Sequence, residues 1–315
     1  MSGLAGAKRT IRLALATLAI GGALRPAQAM ILDAPFDFSQ GAIGLDMTVR
    51  GAPLYVLPDT GVDPSVIDIG RAAALGLTID RKNGGEASGV GNGKAPTAYP
   101  ATIDHLAMRG RAFDAFDAMA SDLGGLSARY GRRLDAVLGY SFTRNQILLI
   151  DYPRRRVMIA DRADEVASRV RSCRARWTMP LQFLGDDNTP VFVAFRLGTA
   201  VGPATLDTGS NGAATLFPGA LDLPGVRDGL VEKGHTTHSG FRGDEISATY
   251  AFNQPLGFGP FAIPAGEIVT LGRTAGSGDR RVANIGNRLY AGMKLNILLD
   301  YRARRIAFYG QCEDA

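Results

Sequence analysis

Apolar residues along this chain come in short runs closed by glycine or proline, with little helical spacing between them. One pair of runs is Gly44 to Gly51 followed by Leu54 to Gly61, and another is Val191 to Gly198 followed by Gly202 to Gly209. Each pair reads as a strand, a turn containing glycine, and a second strand that ends on Asp-Thr-Gly, at Asp59-Thr60-Gly61 and at Asp207-Thr208-Gly209. Further on, Val137-Leu138-Gly139 matches Asn284-Ile285-Gly286, and Ile147 to Arg156 matches Ile297 to Arg305. The separations agree: 148 residues from Asp59 to Asp207, 147 from Gly139 to Gly286 and 149 from Asp151 to Asp300. One spacing shared by three landmarks marks an internal repeat, so two β-rich units of about 140 residues each are expected. Helix is expected at Ile69 to Leu77, capped by Asp68, and as a short stretch after Gly139 and after Gly286. The counterpart near Pro218 to Leu223 is broken by proline and glycine and predicts only a turn. The charged stretch Ala160 to Arg176 predicts a linker or a short bridging helix.

The start of the chain follows a different pattern. Lys8, Arg9 and Arg12 precede an apolar run of 12 residues, Leu13 to Leu24, and Ala27-Gln28-Ala29 supplies a small-x-small cleavage site. That is the layout of a Sec-type signal peptide over residues 1–29. The run is too short for a membrane span, which needs about 20 residues. The expected organisation is therefore a leader, a first lobe over 30–165 and a second over 166–315, in a periplasmic or secreted monomer with no membrane span after cleavage.

Removing the leader takes four basic and no acidic residues, leaving 31 basic against 30 acidic, so the pI of 9.3 belongs mostly to the leader. A nearly neutral chain offers no electrostatic footprint for nucleic acid. Both cysteines, Cys173 and Cys312, fall in the exported part, near the start and end of the second half, where a disulfide is expected. Two free thiols are the alternative.

Two Asp-Thr-Gly tripeptides, each about 80 residues before a hydrophobic-hydrophobic-Gly or near equivalent, exceed what strand-end turns alone explain. On these motifs the sequence resembles the retropepsin and pepsin clan of aspartic peptidases, specifically bacterial retropepsin-like proteins with two such units in one chain. The resemblance implies a mainly β, bilobal acid-protease fold, with the two Asp-Thr-Gly loops facing each other at the floor of a long cleft. It implies Asp59 and Asp207 as the catalytic pair of an endopeptidase, acting without cofactor or metal on an extended peptide or protein substrate. Two carboxylates this close share one proton, as is general for aspartic proteases. Thr60 and Thr208 would bond across to the opposite loop, and Gly61 and Gly209 would let the backbone turn tightly beside the carboxylates. Gly139 and Gly286 complete the supporting set. Ser210 would offer its hydroxyl to Asp207, whereas Val62 offers Asp59 none.

Pro58 departs from the family's aliphatic residue and, lacking a backbone donor, suits only an edge or non-bonded position. Asp63 adds a third carboxylate, facing solvent or perturbing the pair. Flaps are expected at Ser88 to Gly93, including Gly89, Val90 and Gly91, and at Ser239 to Asp244, including Phe241, with glycine serving mobility.

Other chemistries lack their parts. Gly89-x-Gly-x-Gly-Lys94 has neither the spacing nor the helix of a phosphate loop. His235 and His238 lack an HExxH context. There is no G-x-S-x-G elbow. The alternative to a peptidase is a non-catalytic peptide-binding or envelope protein built on the same cleft, favoured by Pro58 and Val62.

Overall fold

The computed structural model describes residues 31–183, 190–273 and 280–313, so the expected leader lies outside the described residues. Each half folds around the same strand arrangement. In the first, Ala52–Pro58 runs parallel to Ala136–Leu138, which runs antiparallel to Ser65–Asp68, itself parallel to Phe116–Ser121. In the second, Ala200–Leu206, Ala283–Ile285, Ala214–Leu216 and Glu267–Leu271 repeat that order and those directions. The landmarks read from sequence are thus the central strands of two ten-stranded sheets. The fold is mainly β, with two pepsin-like lobes.

A six-stranded antiparallel sheet joins the halves, in the order Leu32–Pro35, Arg156–Ala160, Ile147–Asp151, Asn296–Asp300, Arg305–Cys312, Cys173–Pro180. Its middle pair consists of the two matched apolar runs, with Leu149 opposite Leu298. Their side chains alternate between two cores. Leu148, Ile150, Ile297 and Leu299 join the large core that also holds Val56 and Leu206. Leu149 and Leu298 join a smaller core with Val166 and Val170, under the bridging segment. That segment is a helical turn, Ala163–Val166, continued by a 3-10 turn, Ala167–Val170. The expected disulfide joins Cys173 to Cys312, which face each other in register on the outer strand pair.

The helices are short. Asp68 caps Ile69–Ala74 by accepting from the Arg71 N–H. This helix stops before the predicted Leu77, because Leu75 closes it and Gly76 turns left-handed at φ 67°. Short helices follow both landmark glycines, at Tyr140–Thr143 and Asn287–Gly292, and Pro218–Asp222 is a 3-10 turn. No helix among the described residues is long and apolar enough to cross a membrane.

Candidate active site

Each Asp-Thr-Gly begins where its strand runs out. Asp59 N donates to Leu138 O at 2.9 Å and Asp207 N to Ile285 O at 2.9 Å, so one backbone bond places each carboxylate against the neighbouring strand. The two loops are then locked to one another. Thr60 N donates to Thr208 Oγ1 and Thr208 N to Thr60 Oγ1, both at 3.1 Å. Each hydroxyl donates onward into the opposite lobe, Thr60 Oγ1 to Leu206 O at 2.6 Å and Thr208 Oγ1 to Pro58 O at 2.8 Å. Both threonines are buried, so these bonds are screened from water.

Pro58 fits for a local reason. The pairing of Leu45–Val49 with Ala52–Pro58 ends at Val56, so no ladder partner waits on that side of residue 58. Only the Pro58 carbonyl is needed, and Thr208 uses it. Pro58 thus takes the non-bonded place that the sequence allowed, at the end of a central strand rather than on an edge.

The carboxylates meet over the glycines. Gly61 N donates to Asp59 Oδ1 at 2.7 Å and Gly209 N to Asp207 Oδ1 at 2.9 Å. A Cβ on Gly209 would lie 2.1 Å from Asp59 Oδ2, and one on Gly61 would lie 3.1 Å from Asp207 Cγ. Each carboxylate therefore lies across the other lobe's loop, which only glycine allows. The Cβ that Gly61 lacks would lie 3.2 Å from Asp59 Oδ1 and 3.3 Å from Asp207 Oδ1, so the two carboxylates stand side by side. Burial, and then the charge of Asp207, raise the Asp59 carboxyl well above the ordinary 3.8. Asp59 keeps part of its surface exposed. Asp63 is exposed beyond the loop.

The support around Asp207 differs from expectation. The Ser210 backbone N–H donates to Asp207 Oδ1 at 3.0 Å, while its hydroxyl lies against Gly286, 2.8 Å from where a Cβ there would be. The side chain that reaches the other oxygen is Asn284, whose Nδ2 donates to Asp207 Oδ2 at 2.6 Å. Asn284 stands where the first half has Val137, within the landmark that was read as only approximately matched. Asn287 was missed as well. Fully buried, it donates to Thr208 O at 2.7 Å and Ser210 O at 2.8 Å, and accepts from Tyr152 OH at 2.7 Å. Burial and the nearby Asp207 push the Tyr152 hydroxyl far up, so it stays neutral and acts as a donor. The first lobe shares one of these braces, Tyr140 N donating to Val62 O as Asn287 N does to Ser210 O, both at 2.9 Å, and adds Gly139 N donating to Ser65 Oγ at 2.9 Å.

Asp207 thus has three donors beside it, and Asp59 accepts from the Gly61 N–H. Replacing Asn284 by valine, the first-lobe residue at that place, removes the side-chain bond to Asp207 Oδ2. Any activity that rests on the pair should then fall by about tenfold. Unchanged activity would show the bond to be energetically idle.

The segments expected as flaps do approach each other. Arg242 N donates to Val90 O at 2.9 Å, Asn92 N to Asp244 O at 3.2 Å and Gly93 N to Arg242 O at 2.6 Å. Phe241 crosses into the first lobe and packs against its apolar cluster of Tyr55, Leu57, Val66, Leu123, Leu134 and Val137. Arg129 Nε and Asp244 Oδ1 form an ion pair at 2.6 Å beside it. The glycines serve close approach here. A Cβ at Gly89 would come within 2.8 Å of Phe241 Cβ, and one at Gly91, whose φ is 121°, within 2.5 Å of the Arg242 carbonyl carbon. Gly91→Ala should therefore part the clasp and speed amide exchange at Gly93 and Arg242 by tenfold or more. Unchanged exchange would mean that the contact bears no load. His235 and His238 lie three residues apart on the strand Leu230–Gly240, so they point to opposite faces of this hairpin and cannot share a metal ion.

Comparison with known proteins agrees with this architecture. Residues 45–142 match the family model described as aspartyl protease. Among solved structures, Basic 7S globulin from soybean superposes with a TM-score of 0.50 over 91% of this chain and 96% of its own, at 12% identity. At that identity the likeness concerns the fold alone. No curated protein matches the sequence. The aspartyl protease match ends at the helix after Gly139, and the second lobe repeats the same strand order beyond it.

Proposed function

We propose that the chain is an exported aspartic endopeptidase, with lobes 30–165 and 166–315, that hydrolyses peptide bonds through a water activated between Asp59 and Asp207. What supports this is the pair itself: one carboxylate from each lobe, side by side over the two glycines, with burial and its partner's charge raising the Asp59 carboxyl. Asp207, steadied by Gly209, Ser210 and Asn284, accepts the proton of the attacking water. Asp59 donates its own proton to the scissile carbonyl oxygen as the tetrahedral diol forms. The reverse transfers release the amine, and no covalent intermediate is required.

The aspartyl protease family implies a peptide substrate. An extended one suits a floor lined by strand ends beneath two hairpins. An unfolded protein incubated with the purified chain at acid pH should be cut, and a statine-type mimic of the diol should stop the cutting. Absence of hydrolysis across the acid range would reject the reading.

A second reading, a peptide-binding protein, draws on the flap clasp, which holds Phe241 on the first lobe's apolar face. It predicts that the statine-type mimic binds and that no peptide is cut.

A further inference from the structure

The two carboxylates adjoin sheet faces of opposite character. Residues paired in register across neighbouring strands present their side chains on the same face. Beside Asp59 the row is Leu57, Val137 and Val66, all apolar and all packed together under Phe241. The equivalent row beside Asp207 is Thr205, Asn284 and Thr215, and it continues through Thr270 to Thr249. Five successive strands of the second lobe thus place hydrogen-bonding side chains where the first lobe has Leu57, Val137, Val66, Met119 and Pro100.

This row opens on the catalytic floor, since Asn284 is bonded directly to Asp207. Its middle is already a network: Thr215 and Thr270 hydroxyls lie 3.0 Å apart, and Arg281 Nη1 donates to Thr205 Oγ1 at 2.9 Å. Asn284, Thr215 and Thr249 keep part of their surface exposed. The flaps repeat the asymmetry. The second lobe's flap fills the first lobe's apolar face with Phe241, while the first lobe's flap leaves Val90 56% exposed and meets the second lobe through Asn92, which accepts from Arg273 at 3.3 Å.

We propose that the face formed by Thr205, Asn284, Thr215, Thr270 and Thr249 is a subsite for an uncharged, hydrogen-bonding side chain of the substrate. The substrate residue on the second lobe's side of the scissile bond is then polar. The inference rests on the peptidase reading and narrows its substrate class. An apolar side chain on this face would strip water from hydroxyls and an amide without replacing their bonds, whereas Ser, Thr, Asn or Gln replaces them.

The test uses binding, which does not depend on turnover. Three short statine-centred peptides are compared: leucine on both sides of the statine, asparagine on one side, and asparagine on the other. One of the two mixed peptides should bind the wild-type chain about tenfold more tightly than the all-leucine peptide. Thr215→Val/Thr270→Val should cancel or reverse that ratio, and the single Thr215→Val, at a partly exposed position, should reduce it if the double variant folds poorly. Tightest binding of the all-leucine peptide to wild type, or a ratio that the variants leave unchanged, overturns the polar subsite and leaves the peptidase reading standing. If none of the three peptides binds, both fall.

Discussion

Replacing Asp207 by asparagine should lower kcat by about a thousandfold or more without unfolding the protein. Asparagine keeps the shape, and its carbonyl oxygen can still accept from Gly209 N and Ser210 N, which now hold Asp207 Oδ1. Its amide faces Asn284 Nδ2, a clash of donors that Asn284 relieves by turning its own carbonyl inward. The ability to take a proton from water is lost, and no other group near the pair supplies it. The substitution also removes the charge that helps hold the proton on Asp59.

This second effect gives an independent readout. A carboxyl whose folded pKa is raised contributes stability that is full below the unfolded value of 3.8 and is lost as pH rises through the folded value. The wild-type chain should therefore lose stability as pH climbs from about 4, and Asp207→Asn should lose less over the same window. Retention of a tenth of the activity would remove Asp207 from the mechanism. An unchanged pH–stability curve would show that the two carboxylates do not communicate.

The second large effect concerns the disulfide. Cys173→Ser/Cys312→Ser should cost about 4–5 kcal/mol, read as a fall of the melting temperature on the order of 10 °C. The bridge joins residues 139 apart and so removes much of the unfolded chain's freedom. It also fastens Cys173–Pro180, the outermost strand of the six-stranded sheet, which pairs only with Arg305–Cys312. Reductant should lower the wild-type melting temperature to that of the variant and leave the variant unaffected. If the variant melts with the wild type, the outer strand is held by its ladder alone.

The repeat made the architecture legible because each landmark does a backbone job that sequence identity reflects. Asp-Thr-Gly must turn under a facing loop, and the glycines at 139 and 286 must pass backbone carbonyls, that of Val62 in one half and that of Gly212 in the other. Those constraints act on residue type directly. Asn284 and Asn287 were harder to see, because their partners are set by how strands from the far end of a lobe line up. Asn284 looked like a worn copy of Val137 until register placed it beside Asp207. The Ser210 hydroxyl was expected from motif position alone, yet its loop turns that hydroxyl toward Gly286. The glycines of the flaps were read as sources of mobility, since nothing in one half's sequence shows that the other half's backbone passes 2.5 Å from a missing Cβ.

The pairing of Ile147–Asp151 with Asn296–Asp300 carries a consequence for how the two halves depend on each other. Each of these strands meets its own counterpart, antiparallel, with Leu149 opposite Leu298, as the two copies in an isologous dimer would across a two-fold axis. Either half produced alone would present this apolar strand as an open edge, a template for another chain. A separated half therefore has no monomeric resting place: it must find a second half or aggregate. Covalent continuity between the halves turns that concentration-dependent encounter into an intramolecular one, and in the same stroke guarantees that every catalytic floor receives two different carboxylates.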